Sequence, residues 1–181
     1  GLAVSAGCDG LLRLVNLESG SETRNIELGG YVGASAAIYG DSAFVGNFEN
    51  QVLGLDLDRG EVDWIYDPPE KSFPFYSSAA TDGEIVVIGG RDKMVHALNR
   101  ETGEARWTFA TKHRVDASPV IIGSRVFVAT LGGDLLSLNL DTGSSVWKFE
   151  TGEGISASPA IAAGYLVIGS LDGTLFGFGA R

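Results

Sequence analysis

The stretch Asn139-Leu-Asp-Thr-Gly-Ser-Ser-Val-Trp147 decides the fold, because it recurs 40 residues earlier as Asn99-Arg-Glu-Thr-Gly-Glu-Ala-Arg-Trp107. The turn glycine at its centre belongs to a longer series, which is Gly20, Gly60, Gly103 and Gly143, with spacings of 40, 43 and 40 residues. The position four residues after each glycine holds, in order, Arg24, Trp64, Trp107 and Trp147. A period of this length indicates a repeat architecture.

Other columns of the sequence keep the same register. A turn position, usually acidic, holds Asp9, Glu49, Asp92, Gly132 and Asp172, and a strand position holds Val4, Phe44, Val87, Phe127 and Val167. Two residues after that strand position comes a small residue, which is Ala6, Gly46, Gly89, Ala129 or Gly169. A serine recurs at Ser35, Ser78, Ser118 and Ser158. Within one unit the hydrophobic period is two, as in β-strands. The unit that starts at Ser118 divides into runs at about 118–122, 125–129, 135–139 and 145–149, named A to D. Four antiparallel strands in about 40 residues match one propeller blade.

The turn between strands C and D has a physical explanation. Its glycine supplies a positive φ without steric cost. Asp56, Asn99 and Asn139 lie just before the turn, where their side chains can accept hydrogen bonds from its backbone. The tryptophans on strand D are expected to bridge neighbouring blades and to bury a large area.

The segments 99–107 and 139–147 resemble the tryptophan-docking motif of pyrroloquinoline-quinone (PQQ)-type repeats, and the resemblance covers the whole chain. WD40 repeats share the period, but their Trp-Asp and Gly-His signatures are absent. Arg24 departs from the motif, so the first unit is expected to be degenerate or to lie at an exposed end. The resemblance implies a periplasmic or cell-envelope location. Relatives with this blade include the scaffold lipoprotein of outer-membrane barrel assembly and sensor domains attached to kinases.

The predicted fold is therefore an all-β propeller of four-stranded antiparallel blades, about four and a half in number. One domain spans 1–181, with blades at about 1–33 (partial), 34–77, 78–117, 118–157 and 158–181 (partial). Two explanations fit this count: a part of a seven- or eight-bladed propeller, as the resemblance implies, or an irregular five-bladed ring. Exposed apolar faces on the end blades would promote homo-oligomerisation.

Charge and composition exclude several partner classes. The net charge of −10 and the pI near 4.5 disfavour nucleic acid. No apolar run is long enough to cross a bilayer, so membrane insertion is not expected. The single cysteine, Cys8, cannot form an intrachain disulfide, and it excludes the adjacent cysteine pair of quinoprotein alcohol dehydrogenases.

A binding surface is predicted where the B–C and D–A loops share one face. The 43-residue unit carries its three extra residues in the D–A connection 67–76. This segment and its neighbours form the candidate partner-binding or ligand-binding site, which comprises Phe73, Phe75, Tyr76, Arg91, Lys93, Lys112, His113 and Arg114. Aromatic and arginine side chains dominate interface energies, which favours a docked peptide or anionic ligand. The alternative is a rigid loop whose phenylalanines cap the neighbouring blade.

No catalytic or metal site is predicted. Asp9, Asp92 and Asp172 obey the repeat as turn-forming residues, and His96 is assigned to packing. The expected function is a non-catalytic protein-binding or scaffold module that needs no cofactor. The alternatives are a fragment of a PQQ-dependent dehydrogenase, which would bind PQQ and calcium, and a propeller that binds carbohydrate or another polymer.

Overall fold

A computed structural model describes residues 1–69 and 73–179. Within these ranges the chain forms 18 strands in antiparallel sheets of three, four, four, four and three strands. This arrangement confirms the predicted all-β propeller of four-stranded antiparallel blades. The described residues include no helix long and apolar enough to span a bilayer.

Strands pair in chain order within each sheet, and the sheets are named the first to fifth blades. The first blade contains β1 (Leu2–Ala6), β2 (Leu11–Asn16) and β3 (Glu22–Glu27), and the second contains β4 (Ala37–Tyr39), β5 (Ser42–Gly46), β6 (Val52–Asp56) and β7 (Glu61–Tyr66). The third contains β8 (Ala80–Thr81), β9 (Ile85–Gly89), β10 (Met94–Asn99) and β11 (Ala105–Ala110). The fourth contains β12 (Val120–Ile122), β13 (Arg125–Ala129), β14 (Asp134–Asn139) and β15 (Ser145–Glu150), and the fifth contains β16 (Ala160–Ala162), β17 (Tyr165–Gly169) and β18 (Leu175–Gly179).

The C–D turn has the predicted chemistry. In the third blade, the side-chain oxygen of Asn99 accepts hydrogen bonds from the backbone N–H groups of Glu101 and Thr102, at 2.8 and 3.1 Å. Gly103 then adopts a φ of 71°, which a residue with a side chain rarely reaches. Strand D resumes with a bulge opposite Ala97 and Leu98, and each of the other C–D hairpins has a bulge at the same place.

Each tryptophan that faces a following C–D turn docks onto the glycine of that turn. Trp64 Nε1–H donates to the carbonyl oxygen of Arg100 at 2.9 Å, and a Cβ atom on Gly103 would lie 2.5 Å from the Trp64 ring. Trp107 makes the same contacts with Leu140 and Gly143, at 2.7 and 2.6 Å. The predicted bridging between blades is therefore confirmed, and it requires glycine at the turn.

Arg24 takes the place of a tryptophan in the first blade. Its guanidinium donates to the carbonyl oxygen of Leu57 at 2.8 Å and to that of Asp58, and its stem covers Gly60. Leu57 is the repeat equivalent of Arg100, so arginine reproduces the docking bond that tryptophan makes elsewhere. Of the two expectations for the first unit, degeneracy does not extend to the docking contact, whereas a position at an exposed end agrees with the uncovered turn at Gly20.

The core lies between blades and consists of apolar side chains that alternate along each strand. In strand β9, Val86 and Ile88 pack against the second blade, whereas Ile85 and Val87 pack against the fourth. All four side chains are at most 1 % exposed, since this strand is covered on both faces. Within the described residues, the first and fifth blades have a neighbouring blade on one side only, and β18 accordingly alternates between exposed and half-buried residues.

The serine column forms a ladder of hydrogen bonds that joins successive blades. The backbone N–H of Ser35 donates to Ser78 Oγ, that of Ser78 to Ser118 Oγ, and that of Ser118 to Ser158 Oγ, at 3.1, 3.0 and 2.9 Å. These serines precede the A strands, and β8 contacts both β4 and β12. The ladder therefore fixes the spacing of the innermost strands.

The fourth and first blades carry the two complementary halves of a docking contact, a tryptophan and a turn glycine, that are not joined to each other. Trp147 borders a cavity of about 730 Å³ between the fourth and fifth blades, and it is 38 % exposed, compared with 9 % for Trp64. At the other end, a Cβ atom on Gly20 would find nothing within 4 Å. Trp147 is thus a partly exposed docking residue, and the turn that contains Gly20 has no docking residue above it.

Candidate functional site

Hydrogen bonds join the B–C turns and D–A connections into one rim. In the third blade, the N–H of Val115 in the D–A connection donates to the carbonyl of Gly90 in the B–C turn, at 3.1 Å. The next B–C turn is then bonded to the same connection, because the N–H of Leu131 donates to the carbonyl of Arg114 at 2.9 Å. The predicted loop cluster therefore lies on a continuous, hydrogen-bonded edge of the propeller.

Phe75 is a core residue, and its prediction as a surface contact is wrong. It is 1 % exposed, packs edge-on against His96 with ring centroids 5.4 Å apart, and fills the space above Gly46. It also has counterparts in the other units, since Val32, Val115 and Ile155 occupy the same repeat position and are all buried. The three extra residues of this unit consequently lie before Phe75.

Phe73 is the exposed aromatic residue of the long connection. Its side chain is 44 % exposed, and its backbone N–H donates to Asn50 Oδ1 at 3.0 Å. Asn50 belongs to the B–C turn of the second blade and has a φ of 68°. Residues 70–72 of the connection lie outside the described residues. Phe73 is therefore presented to solvent from a backbone that is bonded to the blade.

Tyr76 and Arg91 form a stacked pair. The guanidinium of Arg91 lies 3.7 Å from the centroid of the Tyr76 ring, and Phe48 meets the same ring edge-on at 5.1 Å. Arg91 also donates two hydrogen bonds to the carboxylate of Asp116, at 2.9 and 2.8 Å. This bidentate bond raises the pKa of the guanidinium and neutralises its charge locally. Arg91 therefore holds Tyr76 in place rather than adding a free positive charge to the surface.

The remaining predicted basic residues lie on adjacent loops and are exposed. Thr111 Oγ1 lies 2.8 Å from the carbonyl oxygens of both Lys93 and His113, so it ties the B–C turn to the next D–A connection. The imidazole of His113 covers Gly132 of the fourth blade. Lys112 helps to lower the pKa of Glu150, after the stronger effect of Lys148. Like Lys93, Lys112 and His113, Arg114 is exposed. The structure thus brings these residues onto one rim, where Glu150 partly offsets the charge of Lys112.

Sequence reasoning missed a buried polar chain between the second and third blades. Tyr66 Oη lies 3.1 Å from His96 Nδ1, and His96 Nε2 lies 3.0 Å from Asp92 Oδ2. His96 is 2 % exposed and Asp92 is 4 % exposed. The sequence did contain a signal for this chain, which is a break in the repeat. Tyr66 stands at the position that Phe109 occupies in the next unit, and His96 stands at the position that Leu136 occupies.

The described residues do not fit the calcium and quinone site of the dehydrogenases with this blade. No group of three or more His, Cys, Asp or Glu side chains in the described ranges converges so that it could hold a metal ion. Cys8 has no cysteine neighbour, and its thiol faces the carbonyl of Val32 at 3.7 Å. The aspartates of the B–C turns are engaged locally, as Asp172 shows by accepting hydrogen bonds from Ser170 and Thr174, which lower its pKa.

Known proteins resemble this chain in sequence and in fold. The outer membrane protein assembly factor BamB of Shewanella oneidensis is 26 % identical over 144 residues, which cover 72 % of this chain and 36 % of that protein. The crystal structure of BamB from Moraxella catarrhalis superposes with a TM-score of 0.82 at 24 % identity, covering 99 % of this chain and 58 % of that one. The computationally designed Ika8 protein superposes with a TM-score of 0.87 at 17 % identity, covering 99 % of this chain and 55 % of the design.

A family model covers nearly the whole chain. The model described as outer membrane protein assembly factor BamB matches residues 2–108 and 69–181 in two overlapping segments. The chain spans little more than half of the structures that it matches. It belongs to the PQQ-like repeat propeller family of the outer membrane protein assembly factor BamB.

Proposed function

We propose that this chain is a non-catalytic protein-binding module that acts in the periplasm, as part of an outer membrane protein assembly factor. The family match and the relative from Shewanella oneidensis support the setting. The chain covers only 36 % of that relative, so the proposal concerns the rim of this part of the propeller. The proposal includes no cofactor.

The observation that carries the proposal is the pair of exposed aromatic residues on a rigid rim. Phe73 is 44 % exposed and Tyr76 is 39 % exposed, and the backbone or ring of each is fixed by contacts with a blade. Rigid aromatic side chains lose little conformational entropy on binding, and they provide large contact areas at protein interfaces. The partner would be a protein with an apolar contact region, bordered by groups that complement Lys93 and Arg114.

Photo-crosslinking tests this surface. The photoreactive amino acid p-benzoylphenylalanine replaces Phe73 in one variant and Leu17 in a control, because Leu17 is 65 % exposed on a C–D turn at the opposite edge of the blades. We expect position 73 to cross-link outer membrane proteins or the factors that assemble them, and position 17 not to do so. The same cross-linked proteins at both positions, or none at position 73, would contradict the proposal.

A substitution measures the energy of the contact. We expect the double variant Phe73→Ser, Tyr76→Ser to bind the cross-linked partner about tenfold more weakly, because losing aromatic contacts at an interface costs roughly 1–2 kcal/mol. Leu17→Ser is the matched control, since it also removes an exposed apolar side chain. Equal affinity of the double variant and the Leu17→Ser control for the partner would show that Phe73 and Tyr76 do not belong to the binding surface.

A further inference from the structure

The rim of the third blade carries a basic patch, defined as Lys93, Lys112 and Arg114, where the other units have no basic residue. Lys93 lies in the B–C turn, and its repeat equivalents are Gly10, Asn50, Gly133 and Gly173. Lys112 and Arg114 lie in the D–A connection, where the fourth unit has Gly152 and Gly154. The blade architecture therefore does not require a basic residue at any of the three positions.

Lys93 adopts a backbone conformation that is unfavourable for lysine. Its φ is 69°, and the other four residues at this turn position have φ values from 68° to 89°. Glycine enters this left-handed region without steric cost and asparagine tolerates it, whereas a lysine is strained there. A strained residue that the turn itself does not need points to a function of its side chain. The conformation of Lys93 therefore indicates a role for its ammonium group outside the turn.

Hydrogen bonds hold the backbone of the basic patch on the blade. The carbonyl oxygen of Lys93 accepts the backbone N–H of Thr111 at 2.8 Å, which joins the B–C turn to the residue before Lys112. The carbonyl oxygen of Arg114 accepts the backbone N–H of Leu131 at 2.9 Å. All three basic side chains are exposed. They therefore extend into solvent from a fixed backbone, so a partner needs to order only the side chains.

The basic patch has no ion pair with a carboxylate in the ranges 1–69 and 73–179. Glu150 interacts electrostatically with Lys112, but Lys148 has the larger effect on that carboxylate. Ion pairs are formed elsewhere by Arg13, Arg59, Arg91, Arg100 and Lys148. On a chain with a net charge of −10, the patch thus offers positive charge that internal carboxylates do not neutralise.

Carboxylates border the basic patch on both sides along the rim. Glu49 is exposed on the B–C turn of the second blade, and Glu153 is exposed on the D–A connection that follows the fourth. An extended polyanion such as nucleic acid would have to cross these carboxylates and would be repelled by them. A short acidic segment would face the basic patch alone. Phe73 stands at the repeat position of His113, one unit earlier, so apolar residues beside such a segment would face this exposed ring.

We propose that the basic patch binds a short acidic segment of the protein partner through the carboxylates of that segment. This inference rests on the proposed protein-binding function and adds the chemistry of the partner. Because the three basic side chains are exposed, salt weakens their attraction for the segment. Charges at such positions fix the orientation of a partner and raise its association rate.

NMR titration of the 15N-labelled 181-residue chain with the peptide acetyl-Glu-Phe-Glu-Phe-Glu-amide tests the proposal. We expect saturable shifts of the amide resonances of Lys93, Lys112 and Arg114. At low ionic strength, the uncharged analogue acetyl-Gln-Phe-Gln-Phe-Gln-amide should bind about tenfold more weakly, since exposed ion pairs are individually weak but three act together. Added salt should reduce this difference between the two peptides.

A triple variant, Lys93→Gly, Lys112→Gly, Arg114→Gly, gives the third blade the glycines that the fourth blade has at these positions. It should bind the acidic peptide about tenfold more weakly than the unsubstituted chain does. A preserved amide spectrum shows that the variant is folded. The matched control removes three exposed arginines near the opposite edge of the blades, and it should bind the peptide normally; its substitutions are Arg59→Gln, Arg106→Gln and Arg125→Gln.

Several results would overturn the proposal. They are equal binding of the acidic and uncharged peptides, unchanged amide resonances of the basic patch, and equal losses of affinity in the triple variant and its control. Tighter binding of a thymidine pentanucleotide than of the acidic peptide would assign the patch to phosphate groups instead. Absence of cross-links at position 73 contradicts the proposed function, whereas cross-links at position 73 together with equal binding of the two peptides contradict the acidic segment alone.

Discussion

Replacing Gly103 with alanine should disrupt the contact between the second and third blades, and Gly20→Ala provides a matched control. The two glycines have similar φ values, 71° and 68°, in equivalent C–D turns. They differ in what lies above them. A Cβ atom at position 103 would lie 2.5 Å from Trp64 Cε3, whereas at position 20 it would find nothing within 4 Å. The pair of variants therefore separates backbone strain from the loss of tryptophan docking.

The expected magnitudes follow from these contacts. An alanine in the left-handed region costs about 1–2 kcal/mol at either position. At position 103, overpacking against Trp64 adds about 1–3 kcal/mol. Displacing the indole also breaks its 2.9 Å bond to the carbonyl of Arg100, which contributes about 1 kcal/mol net. Gly103→Ala should therefore lower the free energy of unfolding by about 2–4 kcal/mol more than Gly20→Ala does.

Urea unfolding followed by tryptophan fluorescence measures both changes. In a Trp64→Ala background, the cost of Gly103→Ala should fall to that of Gly20→Ala, because the clashing ring is gone. This coupling identifies the docking contact itself rather than a general weakening of the turn. Costs for Gly103→Ala and Gly20→Ala that agree within about 0.5 kcal/mol would refute the reasoning.

Three other substitutions test separate contacts. Phe75→Ala should lower the free energy of urea unfolding by about 3–5 kcal/mol. The exposed control Phe73→Ala should lower it by less than about 0.5 kcal/mol. Similar losses of stability in the two variants would contradict the burial of Phe75. Ser118→Ala removes the acceptor of the Ser78 N–H, so it should cost about 1 kcal/mol and speed hydrogen exchange at that amide; unchanged exchange would exclude the ladder bond. The raised pKa of Tyr66 stabilises the fold below pH 10, and this contribution is lost as the pH rises through the higher folded pKa. Tyr66→Phe should thus lose less stability above pH 10 in alkaline unfolding, and an identical loss would contradict the shift.

The repeat alone predicted the fold class and the docking contact. The Thr-Gly-x-x-x-Trp spacing places an indole ring and a turn glycine at fixed positions in each unit. When units stack side by side, the ring of one unit can therefore contact the turn of the next. The hydrogen bonds that Asn99 and Asn139 accept from the turn backbone were also predictable, since a short polar side chain before a turn has few other partners. These features are local or strictly periodic, which is why the sequence was sufficient to predict them.

The site was less predictable because its contacts cross from one unit to the next. Phe75 was misassigned since the three extra residues of its unit obscured its equivalence to Val115. The Arg91–Asp116 pair joins residues 25 positions apart, and the Tyr66–His96 bond spans 30, so neither distance matches the period. Periodicity predicts what the units share, whereas these pairs exist at one junction alone.

Because the docking contact is asymmetric, the loss of blades from the carboxyl end exposes different groups than the loss of blades from the amino end. The indole of one unit rests on the turn of the unit that follows it, so removing the fourth blade would expose Trp107, whereas removing the second would leave Gly103 merely uncovered. Loss of blades from the carboxyl end therefore exposes first Trp107 and then Trp64. Loss of blades from the amino end leaves only the backbone of a tight turn uncovered at this contact, although the apolar core between blades is exposed in either direction. Mechanical unfolding of such an array would depend on which end is pulled first.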